Sequence, residues 1–232
     1  MIILAIDTAS PHGSVAALRD AQLLEVVSDD AGDTHSLRFF GQMEKLLREQ
    51  SLAMPQFDVF AVNAGPGSFT GVRVGLTAVK AWAEVYGKPV AALSGLEAVA
   101  AQASATARLI AAVTDARRGQ LYAGLYQRDA GILRRRGEDI VMAPADCFAY
   151  LAGQARGKVI CFATPALDWL AQLLAVSQFH DAKVDGVSEV LAPSIGFRVF
   201  VRIFVSFLLL CWRSCRCFCC RSVTRFCIIY VF

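Results

Sequence analysis

Cysteine is scarce in the first 196 residues, where it occurs only as Cys147 and Cys161. So long a stretch with two cysteines carries no disulfide framework and fits a reducing, cytoplasmic setting. Histidine is scarcer still. His12, His35 and His180 are the three in the chain, too scattered to suggest a metal site, and no Cys/His spacing in this body matches a zinc site. The opening apolar run, residues 1–6, stops at Asp7, so no signal peptide is expected. Acid is wholly absent from the last 36 residues.

That last absence divides the chain in two. Residues 1–196 hold 17 Lys and Arg against 20 Asp and Glu, a net charge of −3, which disfavours an unaided grip on a phosphate backbone. Residues 197–232 hold six Arg, seven Phe and six Cys, with no Gly, Pro, Ala, Lys, Asn, Gln or His. Such a composition resembles a sequence translated out of frame. Residues 203–212 are ten, with one Ser, too short for an untilted membrane span of about 20. Cys215, Cys217, Cys219 and Cys220 lack the paired spacing of a metal knuckle.

The body reads as alternating elements. Short apolar runs at 1–6, 14–18 and 23–28 form a meander of three strands. A helical period follows, with Phe40, Met43 and Leu47 among its apolar positions. A strand ends at Gly65, a helix runs to Tyr86 and is closed by Gly87, and a strand and a small-residue helix come next. Paired strands then reappear at 108–115 and 121–126, followed by a looser βα pass. Two α/β lobes are expected, residues 1–105 and a smaller 106–196, with 197–232 as an atypical tail.

Several residues could carry chemistry. Gly65-Pro-Gly-Ser-Phe-Thr-Gly71 joins strand to helix, with Arg73 and Gly75 beyond. Glycines there let a ligand approach the backbone, and N–H groups at a helix start attract anions. No Gly-Lys-Ser/Thr follows, so this is not the P-loop, and the dinucleotide fingerprint has a shorter last gap. Two readings stay open: an anion site through Gly65, Gly67, Ser68, Thr70, Gly71 and Arg73, or a tight turn needing small residues for packing. Asp7 is either a holder of metal-bound nucleotide phosphate or the head of an Asx-turn. Asp115, with Arg117 and Arg118 after it, invites the same pair of readings. Ser94-Gly-Leu-Glu97 has the Ser-x-x-Glu of a capping box.

Taken together, Ala5-Ile-Asp-Thr-Ala-Ser10, Asn63-Ala-Gly-Pro-Gly-Ser-Phe-Thr-Gly-Val-Arg-Val-Gly75, Ala92-Leu-Ser-Gly-Leu-Glu97 and Thr114-Asp-Ala-Arg117 resemble the TsaB/YeaZ family. The resemblance covers residues 1–196 and implies a two-lobed actin/sugar-kinase/Hsp70-like α/β fold, each lobe a mixed sheet led by a strand meander. It implies a dimerization and scaffold subunit that docks on a TsaD-like catalytic subunit. With a TsaE-like ATPase, that pair places threonylcarbamoyl on the adenosine beside the tRNA anticodon. It further implies contact with tRNA only through the complex, no membrane, and a homodimer when the partner is absent.

TsaD-like relatives carry two metal-binding histidines one helical turn apart. Gly95 and Val99 stand at those positions here, and neither offers a lone pair. The chain is therefore expected to be no enzyme alone and to hold no resident cofactor, with ATP or ADP at the partner interface left open. In the family, two first-lobe helices pack against the partner. The matching residues here are Leu37, Phe40, Met43, Leu47, Val79, Trp82 and Tyr86, which from the residues alone also read as ordinary core. The rival function is an autonomous ATPase or phosphotransferase using Asp7, the Gly65–Gly71 loop and Asp115.

Overall fold

The structure is a computed structural model describing residues 1–28 and 35–213, with side chains described for 1–28 and 38–203. The loop expected at 29–33 and the cysteines from Cys215 onward lie outside the described residues. The chain divides into two units. One comprises Met1–Ala64, Ser68–Leu93 and the chain from Val190, and the other Gly65–Gly67 and Ser94–Glu189.

Both units are built on one plan. In the first, β1 (Ile2–Asp7), β2 (Ser14–Arg19) and β3 (Gln22–Ser28) form an antiparallel meander, and β4 (Val59–Asn63) and β5 (Val90–Leu93) extend it in parallel. The strand order is β3-β2-β1-β4-β5. In the second, β6 (Leu109–Arg117), β7 (Gln120–Asp129) and β8 (Ile132–Met142) are the meander, and β9 (Cys161–Thr164) and β10 (Val184–Gly186) the parallel extension. Its order, β8-β7-β6-β9-β10, repeats the first.

The first unit buries both faces of its central strand, which is why residues 2–6 read as an unbroken apolar run before Asp7. Leu4 and Ile6 point to a core shared with α1 (His35–Glu49) and α2 (Phe69–Tyr86), where Phe39, Leu46, Phe60 and Val79 meet. α6 (Ala192–Arg213) lies along β1, β2 and β4, with Gly196 against Ala5 and Leu18. A Cβ at Gly196 would sit 3.2 Å from the Ala5 Cβ and collide with the end of the Leu18 side chain, so a larger residue there would force Leu18 to move. The Ala192 N–H donates to Ser14 Oγ at 3.2 Å, tying the helix start to β2.

The second unit packs α4 (Pro144–Ala155) and α5 (Leu167–Ala175) on one sheet face. Phe148, Leu151, Leu170 and Leu174 bury Leu109, Val113, Leu121 and Leu125 there. α3 (Gly95–Gln102) packs on β6 and β7.

The expected division of the chain is corrected in two places. The boundary falls between Leu93 and Ser94 rather than near Ala105, because α3 buries its apolar residues on β6 and β7 instead of on the first sheet. The second unit closes at Glu189, and residues from 190 return to the first. Residues 197–203 are consequently no separate tail. They continue α6, with Val199 at 2% exposure. An apolar helix needs suitable spacing, not acidic residues, to cover a sheet.

Candidate functional site

Asp7 closes β1 and is wholly buried. Its Oδ1 accepts from the Ala9 and Ser10 N–H groups at 3.0 and 3.1 Å and from Asn63 Nδ2 at 2.8 Å. The turn is therefore an Asx-turn, braced from β4. Among the described residues Oδ2 has no hydrogen-bond partner, nor does the buried Ser10 Oγ. A carboxylate oxygen buried without a donor is costly, so this end of β1 holds unmet polar capacity.

The glycines of the strand-to-helix turn are explained by packing. Ser68 caps α2, its Oγ accepting from the Gly71 N–H at 3.2 Å. A Cβ at Gly71 would collide with the Thr8 carbonyl, and one at Gly75 would come within 2.5 Å of Thr8 Oγ1. The space a phosphate would need beside these two residues is filled by Thr8. Thr70 is exposed, and Arg73 lies over the Phe69 ring, 4.5 Å from its centroid.

The other residues expected to bind an anion belong to the second unit. Gly65 has φ +99° and accepts from the Gly95 N–H at 2.8 Å, while Gly67 is exposed. Asp115 and Arg117 engage each other: Oδ1 accepts the Arg117 N–H at 2.6 Å, and Oδ2 lies 3.5 Å from Nη1. Arg117 and Arg118 are both left-handed, at φ 64° and 52°, in the β6–β7 turn that Gly119 completes. Asp7, Ser68, Thr70, Gly71 and Arg73 thus share one unit, and Gly65, Gly67, Asp115 and Arg117 the other.

The expected docking residues separate by exposure. Phe40 is 58% exposed, and Leu47, Trp82 and Tyr86 are half-buried. Met43 and Val79 are corrected to core residues: at 4% and 0% exposure they have no surface to offer. The side chain of Leu37 lies outside the described residues. The sequence pattern missed Phe69 and Val85, both 72% exposed on α2. A lone apolar residue off the main stripe gives no periodic signal.

Ser94 also departs from expectation. It makes no side-chain cap on α3; its Oγ donates to Asp139 Oδ2 at 2.7 Å. Tyr126 donates its hydroxyl to Asp139 Oδ1 at 3.3 Å. Burial, with Asp139 beside it, holds the Tyr126 hydroxyl protonated far above the ordinary phenol range. A second cluster gathers on Asp185, which accepts from the Ser104 N–H at 2.8 Å and the Cys161 thiol at 3.2 Å and pairs with Lys183 at 3.3 Å. Burial pushes the thiols up, Cys161 to about 12 and Cys147 to about 11, so neither is a ready nucleophile. Gly95 and Val99 are both buried in α3. Among the described residues no three His, Cys, Asp or Glu gather where they could hold a metal ion, and no helix is long and apolar enough to cross a membrane.

Twin meander-led sheets of this order define a protein of the actin/sugar-kinase/Hsp70-like fold class. A ROK hexokinase from Thermus thermophilus has this fold at TM-score 0.50 and 11% identity, over 88% of this chain and all of that one. YeaZ from Pseudomonas aeruginosa is nearer, at TM-score 0.69 and 25% identity over 88% of this chain and 93% of that one. A family model described as "TsaD: tRNA N6-adenosine threonylcarbamoyltransferase" matches residues 25–184. The Bacillus subtilis "tRNA threonylcarbamoyladenosine biosynthesis protein TsaB" is 38% identical over 135 residues, 58% of this chain. The match spans 59% of the Bacillus protein's length. The chain belongs to the TsaD family and, within it, to the TsaB/YeaZ group.

Proposed function

We propose that this chain is a non-catalytic, cytoplasmic subunit of a tRNA threonylcarbamoyladenosine transferase, docking through α1 and α2 on a TsaD-like catalytic partner. Phe40 carries the reading. It is a large aromatic, 58% exposed, on a helix that also carries half-buried Leu47 and whose core face is already satisfied by Phe39, Met43 and Leu46. Its ring and that of half-buried Trp82 both lie against Phe39, with centroids 5.2 and 6.0 Å away, and an apolar surface shared by two helices is the kind that a partner covers. Gly95 and Val99, standing where the catalytic relatives have histidines, support a supporting rather than a chemical role. A TsaE-like ATPase completes the complex, tRNA is reached through it, and the same helices pair two copies when the partner is missing.

Light scattering on the full chain mixed with the TsaD protein of the same genome tests this. A heterodimer mass is expected, lost with Phe40→Asp. Separate peaks overturn it.

The rival reading, an ATP-using enzyme, is favoured by one observation, the buried Asp7 Oδ2 and Ser10 Oγ without partners among the described residues. Magnesium–ATP calorimetry on the isolated chain decides it: tight binding, abolished by Asp7→Asn, would replace the docking reading.

A further inference from the structure

The turn after β1 buries a carboxylate whose own hydrogen bonds do not neutralise it. Asp7 is 0% exposed, and its three donors, the Ala9 and Ser10 N–H groups and Asn63 Nδ2, all converge on Oδ1. None of the three carries a charge. Oδ2 and the Ser10 Oγ, three residues on, are both shielded from solvent and have no partner among the described residues. The Arg38 guanidinium reaches this loop from α1, where it donates to the Pro11 carbonyl at 3.1 Å.

A buried carboxylate is tolerated where an opposite charge meets it. A carboxylate oxygen and a hydroxyl oxygen side by side in one turn are hard donors, the ligand chemistry of alkali and alkaline-earth ions. Charge separates the two classes. Asp7 brings one negative charge, and among the described residues no group of three His, Cys, Asp or Glu gathers to bring more. One positive charge balances the turn, whereas a divalent ion would leave an excess charge buried. A nucleotide phosphate is disfavoured beside it, because Gly71 and Gly75, which would have to cradle the phosphate, lie flush on Thr8.

We propose that Asp7 Oδ2 and Ser10 Oγ are ligands of a single sodium or potassium ion, bound without nucleotide. The ion completes the turn that leads from β1 to β2. The same turn is tied to α2, by the Thr8 hydroxyl on the Gly71 carbonyl oxygen at 2.6 Å and by the Ser68 N–H on the Ala9 carbonyl oxygen at 2.9 Å. An ion there steadies the base of α2 together with the end of β1. The site stands apart from the docking reading, which holds or fails without it.

The test is thermal unfolding of the full chain in sodium, potassium, magnesium and tetramethylammonium chlorides at one ionic strength. A saturable rise is expected with sodium or potassium and not with tetramethylammonium, about 3–6 °C at ten times the dissociation constant. Asp7→Asn keeps an Oδ1 acceptor for the turn and removes the charge. That variant is expected to lose the ion dependence while melting in tetramethylammonium no lower than the wild type does there. Ser10→Ala is expected to keep the rise and to move its half-saturating concentration up about tenfold. Equal melting of the wild type in all four salts overturns the site. An undiminished rise in Asp7→Asn overturns it too, since the ion would then bind elsewhere. A larger rise with magnesium than with either alkali ion overturns the single charge, and a rise that needs magnesium and ATP together overturns the proposal in favour of the nucleotide reading.

Discussion

Thr8 and Gly71, 63 residues apart in the chain, are locked together: the Thr8 hydroxyl donates to the Gly71 carbonyl oxygen at 2.6 Å. The Gly71 Cα in turn lies so close to the Thr8 carbonyl that no Cβ fits between them. The contact seats the first turn of α2 on the end of β1. It is the reason that this turn needs glycine, and it requires no ligand.

Gly71→Ala is therefore expected to destabilise strongly, by about 3 kcal/mol or more, because the added methyl meets backbone that cannot swing away. Gly153→Ala in α4, where nothing lies within 4 Å of the new Cβ, is expected to stabilise by about 0.5–1 kcal/mol. Urea unfolding of the two variants beside the wild type measures both. Equal effects would mean that the close approach to Thr8 is not what holds Gly71.

Asp139 joins β8 to both β7 and α3. It accepts from Ser94 and Tyr126, with Arg135 Nη1 3.7 Å away. Asp139→Ala leaves the hydroxyl of Tyr126, a wholly buried residue, without that acceptor, a loss of about 1–3 kcal/mol. Adding Tyr126→Phe should restore part of it, since the orphaned hydroxyl goes too. A double-mutant cycle by thermal unfolding reads this directly, and strict additivity would argue that the two groups are not coupled.

These two contacts show what was and was not legible beforehand. The meanders were, because β1 is apolar up to Asp7 and the strands beside it are separated by short polar turns. The closing of α2 by Gly87, left-handed at φ 62°, was also readable from local chemistry. Ser94 was not. The Ser-x-x-Glu pattern describes a local cap, and it lost to an acceptor 45 residues away that no local rule can see. Met43 and Phe40 look alike in an apolar stripe, yet the angle between them on α1 sends one inward and the other to solvent. α3 went to the wrong lobe because a short helix of small apolar residues suits either sheet equally well.

The Asp185 cluster sets a pH dependence. Burial alone would raise its pKa, but the Ser104 N–H, the Cys161 thiol and Lys183 together hold it below the ordinary carboxylate value. A depressed folded-state pKa contributes stability that is present above the unfolded value and is lost as pH falls through the folded one. Thermal unfolding followed from pH 6 down to pH 2 should therefore show a component of acid destabilisation that Asp185→Asn removes. An unchanged acid limb in that variant would assign the effect to other carboxylates.

The final helix gives the sharpest contrast between composition and packing. Residues 197–232 look foreign to the body, yet α6 runs unbroken from Ala192 to Arg213, and it buries Ile195 and Val199 along with most of Arg198. A chain stopped after Gly196 keeps Ile195 but loses Val199, Arg198 and the turns of helix that hold Gly196 against Ala5 and Leu18. Burying a valine side chain contributes about 1.5–3 kcal/mol, and a helix cut to five residues is too short to persist unaided. The shortened chain is expected to melt several degrees lower and to expose β1 and β2 to hydrogen exchange, while the β6–β7 amides stay protected. Uniform loss of protection across both sheets would mean that the two units unfold as one. Protection unchanged everywhere would mean that residues beyond 196 add nothing to the first unit, and that their foreign composition is the better guide to their role.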